Sequence, residues 1–291
     1  MQEELKKIMK RPIKYISAIS FLMVRLSYAQ FIPDENTASF SIGPSFPIGN
    51  FSSTDPSNNL SGYAVSGIAA NLSFNHKLNN QLGLIAMLYG QRNGINTNIF
   101  SDQLDKSFFD PQFITSFSGS PYSPTVSQEV YYNWNIEKKY WYLESVMLGA
   151  TEELIFENNH KLSFVAKVLI GAAYAQLPTL NGQSITDTSY AVFYQKGASA
   201  FGFSYLLSGG MNYKLSGKLY LKLDVFYFGT SRLNFKNITQ NFASTYGGLR
   251  MPGVYTLSNS NFTVFSESST TGQNKQPFGS INIVAGVGLI L

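Results

Sequence analysis

The chain has 291 residues, of which 15% are aromatic and 13% charged, and it contains no cysteine. A soluble domain is typically roughly 25% charged, and a chain without cysteine has no thiolate metal site, no disulfide framework and no lipid-attachment cysteine. The formal charge of +4 lies wholly in the first 29 residues, where Lys6, Lys7, Lys10, Arg11, Lys14 and Arg25 outnumber Glu3 and Glu4. The remainder is balanced, so the charge does not point to a nucleic-acid partner.

The N-terminus reads as a secretory signal. A basic stretch precedes the short apolar run Ile16–Val24, and Ser27-Tyr28-Ala29 supplies small residues at a peptidase site. Cleavage is expected after Ala29, making 1–29 a signal peptide and 30–37 a periplasmic lead-in. Beyond it no window approaches the roughly 20 apolar residues of a spanning helix.

From residue 38 onward the chain alternates. The first strand is expected over Ala38–Ile48, with Phe40, Ile42 and Phe46 on one face and Ser39, Ser41, Gly43 and Ser45 on the other. A second runs over Gly62–Lys77 and turns at Asn79-Asn80 into a third, Gln81–Gly94. After a long stretch (95–138) come a fourth, Lys139–Phe156, and a fifth, Lys161–Gln176. A medium loop (177–200) leads to a sixth, Phe201–Leu215, and a seventh, Lys218–Arg232. A second long stretch (233–277) precedes the closing strand Ser280–Leu291, where Ile281, Ile283, Ala285, Val287, Leu289 and Leu291 alternate with small or polar residues. Eight strands joined alternately by short turns and long loops form the pattern of an outer-membrane barrel. Such strands conceal their apolar face by alternation, and the mean hydropathy is only −0.04. A soluble β-sandwich is the alternative, but it leaves the Leu, Phe and Tyr crowded on one face unexplained.

Several pieces carry a family resemblance. Gly43–Phe51 (GPSFPIGNF), Ser61–Ala64 (SGYA), Tyr142-Leu143-Glu144 (YLE) and the terminal VAGVGLIL together resemble the small outer-membrane β-barrels of Bacteroidota-type envelopes, including PorT-like and OmpA-like eight-stranded barrels. The resemblance spans the mature chain and implies fold and location more than activity. Val146 stands where family members often carry proline, and Leu291 closes the chain where phenylalanine is common.

Parity assigns Glu144, Lys167, Lys214, Lys222 and Asp224 to the lumen, as a neutralised plug or a narrow polar channel. An eight-stranded interior is just wide enough for side chains to fill, which favours the plug. Ile85, Met87 and Tyr89 also point inward, and Val146 and Leu148 follow if Glu144 does. Either bulges shift the faces, or one lumen wall is apolar and admits a hydrophobic molecule. His76 and His160 fall at short turns without partners for a catalytic triad. Asp102, Asp105 and Asp110 lack calcium-loop spacing. No catalytic, metal or cofactor residues emerge.

The loops are rich in aromatics: Phe108, Phe109, Phe113, Phe117, Tyr122, Tyr131, Tyr132 and Trp134 in one, Phe242, Tyr246, Tyr255, Phe262 and Phe265 in another. They either pack together or bind a protein or glycan. The sequence thus predicts an all-β, eight-stranded, antiparallel, up-and-down transmembrane barrel that contacts outer-membrane lipid. The functional expectation is a non-enzymatic scaffold displaying its loops, with a hydrophobic conduit as the alternative.

Overall fold

The computed structural model of the protein describes residues 36–55, 58, 60–79, 81–108, 134–137, 139–156, 159–185, 189–247, 254–256 and 262–291. The expected signal peptide and residues 30–35 lie outside the described residues, as do Phe109, Asp110, Phe113, Phe117, Tyr122, Tyr131 and Tyr132. In chain order the strands are β1 (Asn36–Pro47), β2 (Ala64–Lys77), β3 (Leu82–Ile95), β4 (Trp134–Ile136), β5 (Tyr140–Phe156), β6 (Asn159–Leu177), β7 (Leu180–Ile185), β8 (Ser189–Gln195), β9 (Ala198–Lys214), β10 (Leu219–Thr230), β11 (Leu233–Gly247), β12 (Val254–Thr256), β13 (Phe262–Gln276) and β14 (Gly279–Ile290). A 3-10 turn, Gly49–Phe51, follows β1, and a helix α1 (Thr97–Phe108) follows β3.

Eight of these strands close on themselves in the order β1-β2-β3-β5-β6-β9-β10-β14, and β14 pairs back onto β1. Each strand neighbours the next in the barrel, and every pairing is antiparallel. This is the predicted up-and-down barrel.

Closure leaves no edge, but it alone does not say which face is buried; side-chain period does. In β1, Phe40 and Ile42 are exposed while Ser39 and Ser41 are buried. The same inversion recurs at Leu72 and Phe74, Leu84 and Leu88, Val168 and Ile170, Leu221 and Leu223, and Val287 and Leu289, all exposed. A belt of large apolar side chains outside and serines, asparagines and charges inside is unstable in water and stable in lipid. The barrel therefore spans a membrane.

Asn36 and Leu291 lie together at one end of the barrel, the near end, where the Leu291 amide bonds the Asn36 carbonyl at 2.8 Å. There the connections are tight. Asn79 Oδ1 accepts hydrogen bonds from the Gln81 and Leu82 amides at 2.8 and 2.6 Å, closing the β2–β3 turn. The Leu215 amide bonds the Leu219 carbonyl at 2.9 Å between β9 and β10.

The far end differs from the sequence expectation. The segments expected as loops (95–138, 177–200 and 233–277) carry regular structure. Six strands form a second sheet in the order β4-β7-β8-β11-β13-β12. Five of them continue the wall: β4 leads into β5, β7 leaves β6, β8 enters β9, β11 leaves β10 and β13 enters β14. Their order repeats that of the barrel strands they extend, interrupted among the described residues at 137 and 139, 178–179, 196–197, 231–232 and 277–278. Where their side chains are described, these strands alternate in the opposite sense, with Trp134, Ile136, Leu180, Leu233 and Phe235 buried and Asn135, Asn181 and Lys236 exposed, so they lack the greasy outer face that marks the barrel. The helix is a second departure from the expected loop. Asn96 caps it, its Oδ1 accepting the Ile99 amide at 3.3 Å. Phe100, Leu104 and Phe108 recur at helical spacing, which is the trace the helix leaves in the sequence.

Candidate functional site

The interior of the barrel is occupied in layers. At the far mouth the GPSFPIGNF piece ends by turning Phe51 inward, where only 1% of it is exposed. Its ring meets Phe278 at 4.7 Å and Trp141 at 5.8 Å, and Trp141 meets Phe235 at 6.2 Å. Trp141 Nε1 donates to the Gly62 carbonyl at 3.0 Å, so the SGYA piece is tied to the same stopper. Aromatic rings with their polar handles satisfied make a rigid filling.

Below it Tyr89 stacks on Phe228 at 4.5 Å and meets Phe226 edge-on at 5.7 Å. Met87, Met147, Leu169, Leu206 and Val284 complete this layer, and Phe228, Met147 and Val284 are wholly buried. One side of the layer is polar: the Tyr89 hydroxyl donates to Gln91, whose Oε1 also accepts from Ser280 at 2.9 Å.

Toward the near end lies an ionic triad. Lys167 Nζ donates to Asp224 Oδ1 and Oδ2 at 2.7 and 2.8 Å. Lys222 Nζ sits 3.1 Å from Asp224 Oδ2 and 3.1 Å from Ser39 Oγ. Ser39 Oγ in turn lies 2.7 Å from Ser73 Oγ. Parity in the sequence places these three charged residues in the lumen, and there they meet. Lys214 shares their inward register but is exposed at the near mouth, bordering a cavity rather than joining the triad.

Three assignments are corrected. Glu144, Val146 and Leu148 face outward; Val146 and Leu148 are 61% and 64% exposed. The pairing of β3 with β5 runs unbroken from Leu82↔Glu152 to Gly94↔Tyr140, so no bulge swaps the faces. Leu143, Ser145 and Met147 take the inward positions. A lone charge does not mark the lumen; its strand neighbours decide the parity. Ile85, Met87 and Tyr89 do point inward, where they are packed as filling. Glu144 stands between Gly90 and Tyr174 in register, in an outer groove of about 500 Å³ with Phe40, Leu72 and Phe201.

The second sheet has its own small core. Trp134, Ile136, Leu180 and Phe193 pack together with Ile95 and Phe100. Phe100 of α1 meets Phe193 at 5.7 Å and Tyr63 at 5.6 Å, so the helix lies against the sheet. Trp134 therefore packs internally, and the side chains of Phe242, Tyr246, Tyr255, Phe262 and Phe265 lie outside the described residues. Glu137, at the junction before β5, is held below the ordinary carboxylate range by hydrogen bonds from Lys139 and then Asn181.

For catalysis the described residues offer little. His76 Nδ1 lies 2.8 Å from Asn36 Oδ1, a pairing across the near ends of β1 and β2. The side chain of His160 lies outside the described residues, as does that of Asp105, while Asp102 is an exposed residue of α1. Among the described residues no cluster of three metal-ligating side chains occurs.

No protein-family model and no curated protein matches this chain. Among solved structures it is similar to Ail, the attachment invasion locus protein of Yersinia pestis, determined with the heparin analogue sucrose octasulfate. The identity is 14%, over 87% of this chain and 99% of that one, with a TM-score of 0.36. Neisserial surface protein A is similar at 8% identity, over 89% and 100% of the two chains, with a TM-score of 0.37. OprG from Pseudomonas aeruginosa is similar at 9%, over 90% and 98%, with a TM-score of 0.32. Likeness at this level assigns no residue a role.

Proposed function

We propose that this chain is a non-enzymatic outer-membrane protein of the PorT-like kind, exported by a cleaved signal peptide. Its filled barrel serves as an anchor, and its external sheet presents a contact surface to a protein or glycan. The observation that carries the reading is the continuation of five wall strands into a second sheet above a lumen filled by Phe51, Trp141, Phe278, Tyr89 and Phe228. A wall that outgrows the membrane by this much invests ordered backbone outside it, and long ordered external segments are where barrels carry function. The tight turns at the near end fit the periplasmic side.

The hydrophobic-conduit alternative draws on Ile85, Met87 and Tyr89 alone and needs the aromatic stopper to move aside. Two measurements separate the readings. A photocrosslinker at the exposed Tyr194 of β8 should give a discrete adduct in native outer membranes. Replacing 178–197 with an Asn-Gly turn, which joins the paired Leu177 and Ala198, should keep the barrel while the partner captured at Tyr194 no longer co-purifies with it. No adduct at any external position, together with solute uptake by liposomes bearing the protein, would overturn display in favour of the conduit.

A further inference from the structure

The triad does not balance. Two ammonium groups, on Lys167 and Lys222, share the single carboxylate of Asp224, and all three residues are at least 94% buried. A buried ion is costly unless it is fully paired. An ammonium has three donors. Lys167 uses two of them on Asp224, and Lys222 uses two on Asp224 and Ser39. Each retains one donor with no protein partner among the described residues.

Both lysines line a cavity of about 160 Å³ that opens at the near end. A water needs only about 10–15 Å³ of such space, so the cavity takes a small oxyanion with accompanying waters. Its other charged lining is mostly basic: Lys77, Lys161 and Lys214 accompany a single acid, Glu153. Glu153 is engaged by Lys77 at 3.2 Å and by Ser163 Oγ at 2.6 Å. The remaining lining includes Ser39, Ser73, Asn75 and Asn212, neutral groups suited to hydrogen bonding an anion.

We propose that this near-end vestibule is a binding site for a phosphate-type oxyanion, either a free ion or the phosphate of an inner-leaflet headgroup. The spare donors of Lys167 and Lys222 form its floor and Lys214 its rim. The bound anion supplies the negative charge that the triad lacks. Charge-assisted bonds from two buried ammonium groups are the strong kind.

The test is calorimetric titration of inorganic phosphate into the full-length barrel in neutral detergent at low ionic strength. Saturable binding at one site is expected. Lys222→Met should weaken it by about tenfold, and Lys214→Gln, a change at the open mouth that folding tolerates, by about threefold. Where Lys222→Met does not fold, Lys214→Glu decides, because reversing the rim charge must weaken phosphate further than Lys214→Gln does. Absence of saturable binding, or equal affinity in Lys214→Glu and wild type, overturns the proposal. A parallel titration with glycerol phosphate identifies the source. Tighter binding than phosphate supports a headgroup in this site, and weaker binding supports a free oxyanion in it.

Discussion

The carboxylate of Asp224 on β10 lies across the backbone of Gly210 on β9. A Cβ placed on Gly210 would stand 2.0 Å from Asp224 Oδ1 and 2.6 Å from the Leu223 carbonyl. The missing side chain lets the carboxylate reach over β9 to Lys167 on β6, a strand that β10 does not pair with. Gly210→Ala is therefore expected to push the carboxylate off Lys167 and cost about 3 kcal/mol, the range for a buried pair that loses a partner. Urea titration read by heat-modifiable electrophoretic mobility measures it. Wild-type stability in this variant would mean that the carboxylate has another route.

Asp224→Asn leaves two buried ammonium groups facing each other and should cost about 3–5 kcal/mol. Combining Lys167→Met, Asp224→Leu and Lys222→Met in one triple variant should recover most of that loss, because apolar filling needs no desolvated charge. A triple variant as unstable as Asp224→Asn would show that the triad holds the barrel in some way beyond pairing.

Phe228 is wholly buried and stacked on Tyr89 at 4.5 Å. Phe228→Ala should cost about 3–5 kcal/mol through the cavity it leaves. In planar bilayers the variant should stay electrically silent, since Phe51, Trp141 and Phe278 still close the far mouth. Conductance steps from Phe228→Ala alone would place the barrier at Phe228 rather than at the stopper.

Glu144 faces the lipid side just below the Tyr140 and Tyr142 rings, on which Arg92 lies at 3.6 and 5.7 Å from the ring centroids. A carboxylate near the interface costs a barrel about 0–1 kcal/mol. Glu144→Leu should therefore raise stability by about 0.5–1 kcal/mol in refolding experiments in lipid vesicles. A loss of stability would indicate a cationic partner for Glu144 in the membrane.

The barrel strands are legible in the sequence because lipid outside and filling inside impose a period of two on every residue that crosses the membrane. Phe40, Ile42, Leu221 and Leu223 reveal their strands without any knowledge of their neighbours. The pairing of Lys167 with Asp224 is legible only as two inward charges, since their meeting depends on closure and on the space over Gly210. Glu144 misleads because a charge suggests a direction, while the register of β3 against β5 fixes which way it points. The second sheet is hidden for a different reason. Its strands take their order from the wall below and turn apolar residues inward, as Leu233 and Phe235 do between Asn234 and Lys236, so their short alternations show no greasy outer face to mark them as wall. Local alternation encodes what each residue meets across the sheet plane, membrane or interior. Which residues meet one another is set by strand order and register, and those exist only once the barrel has closed.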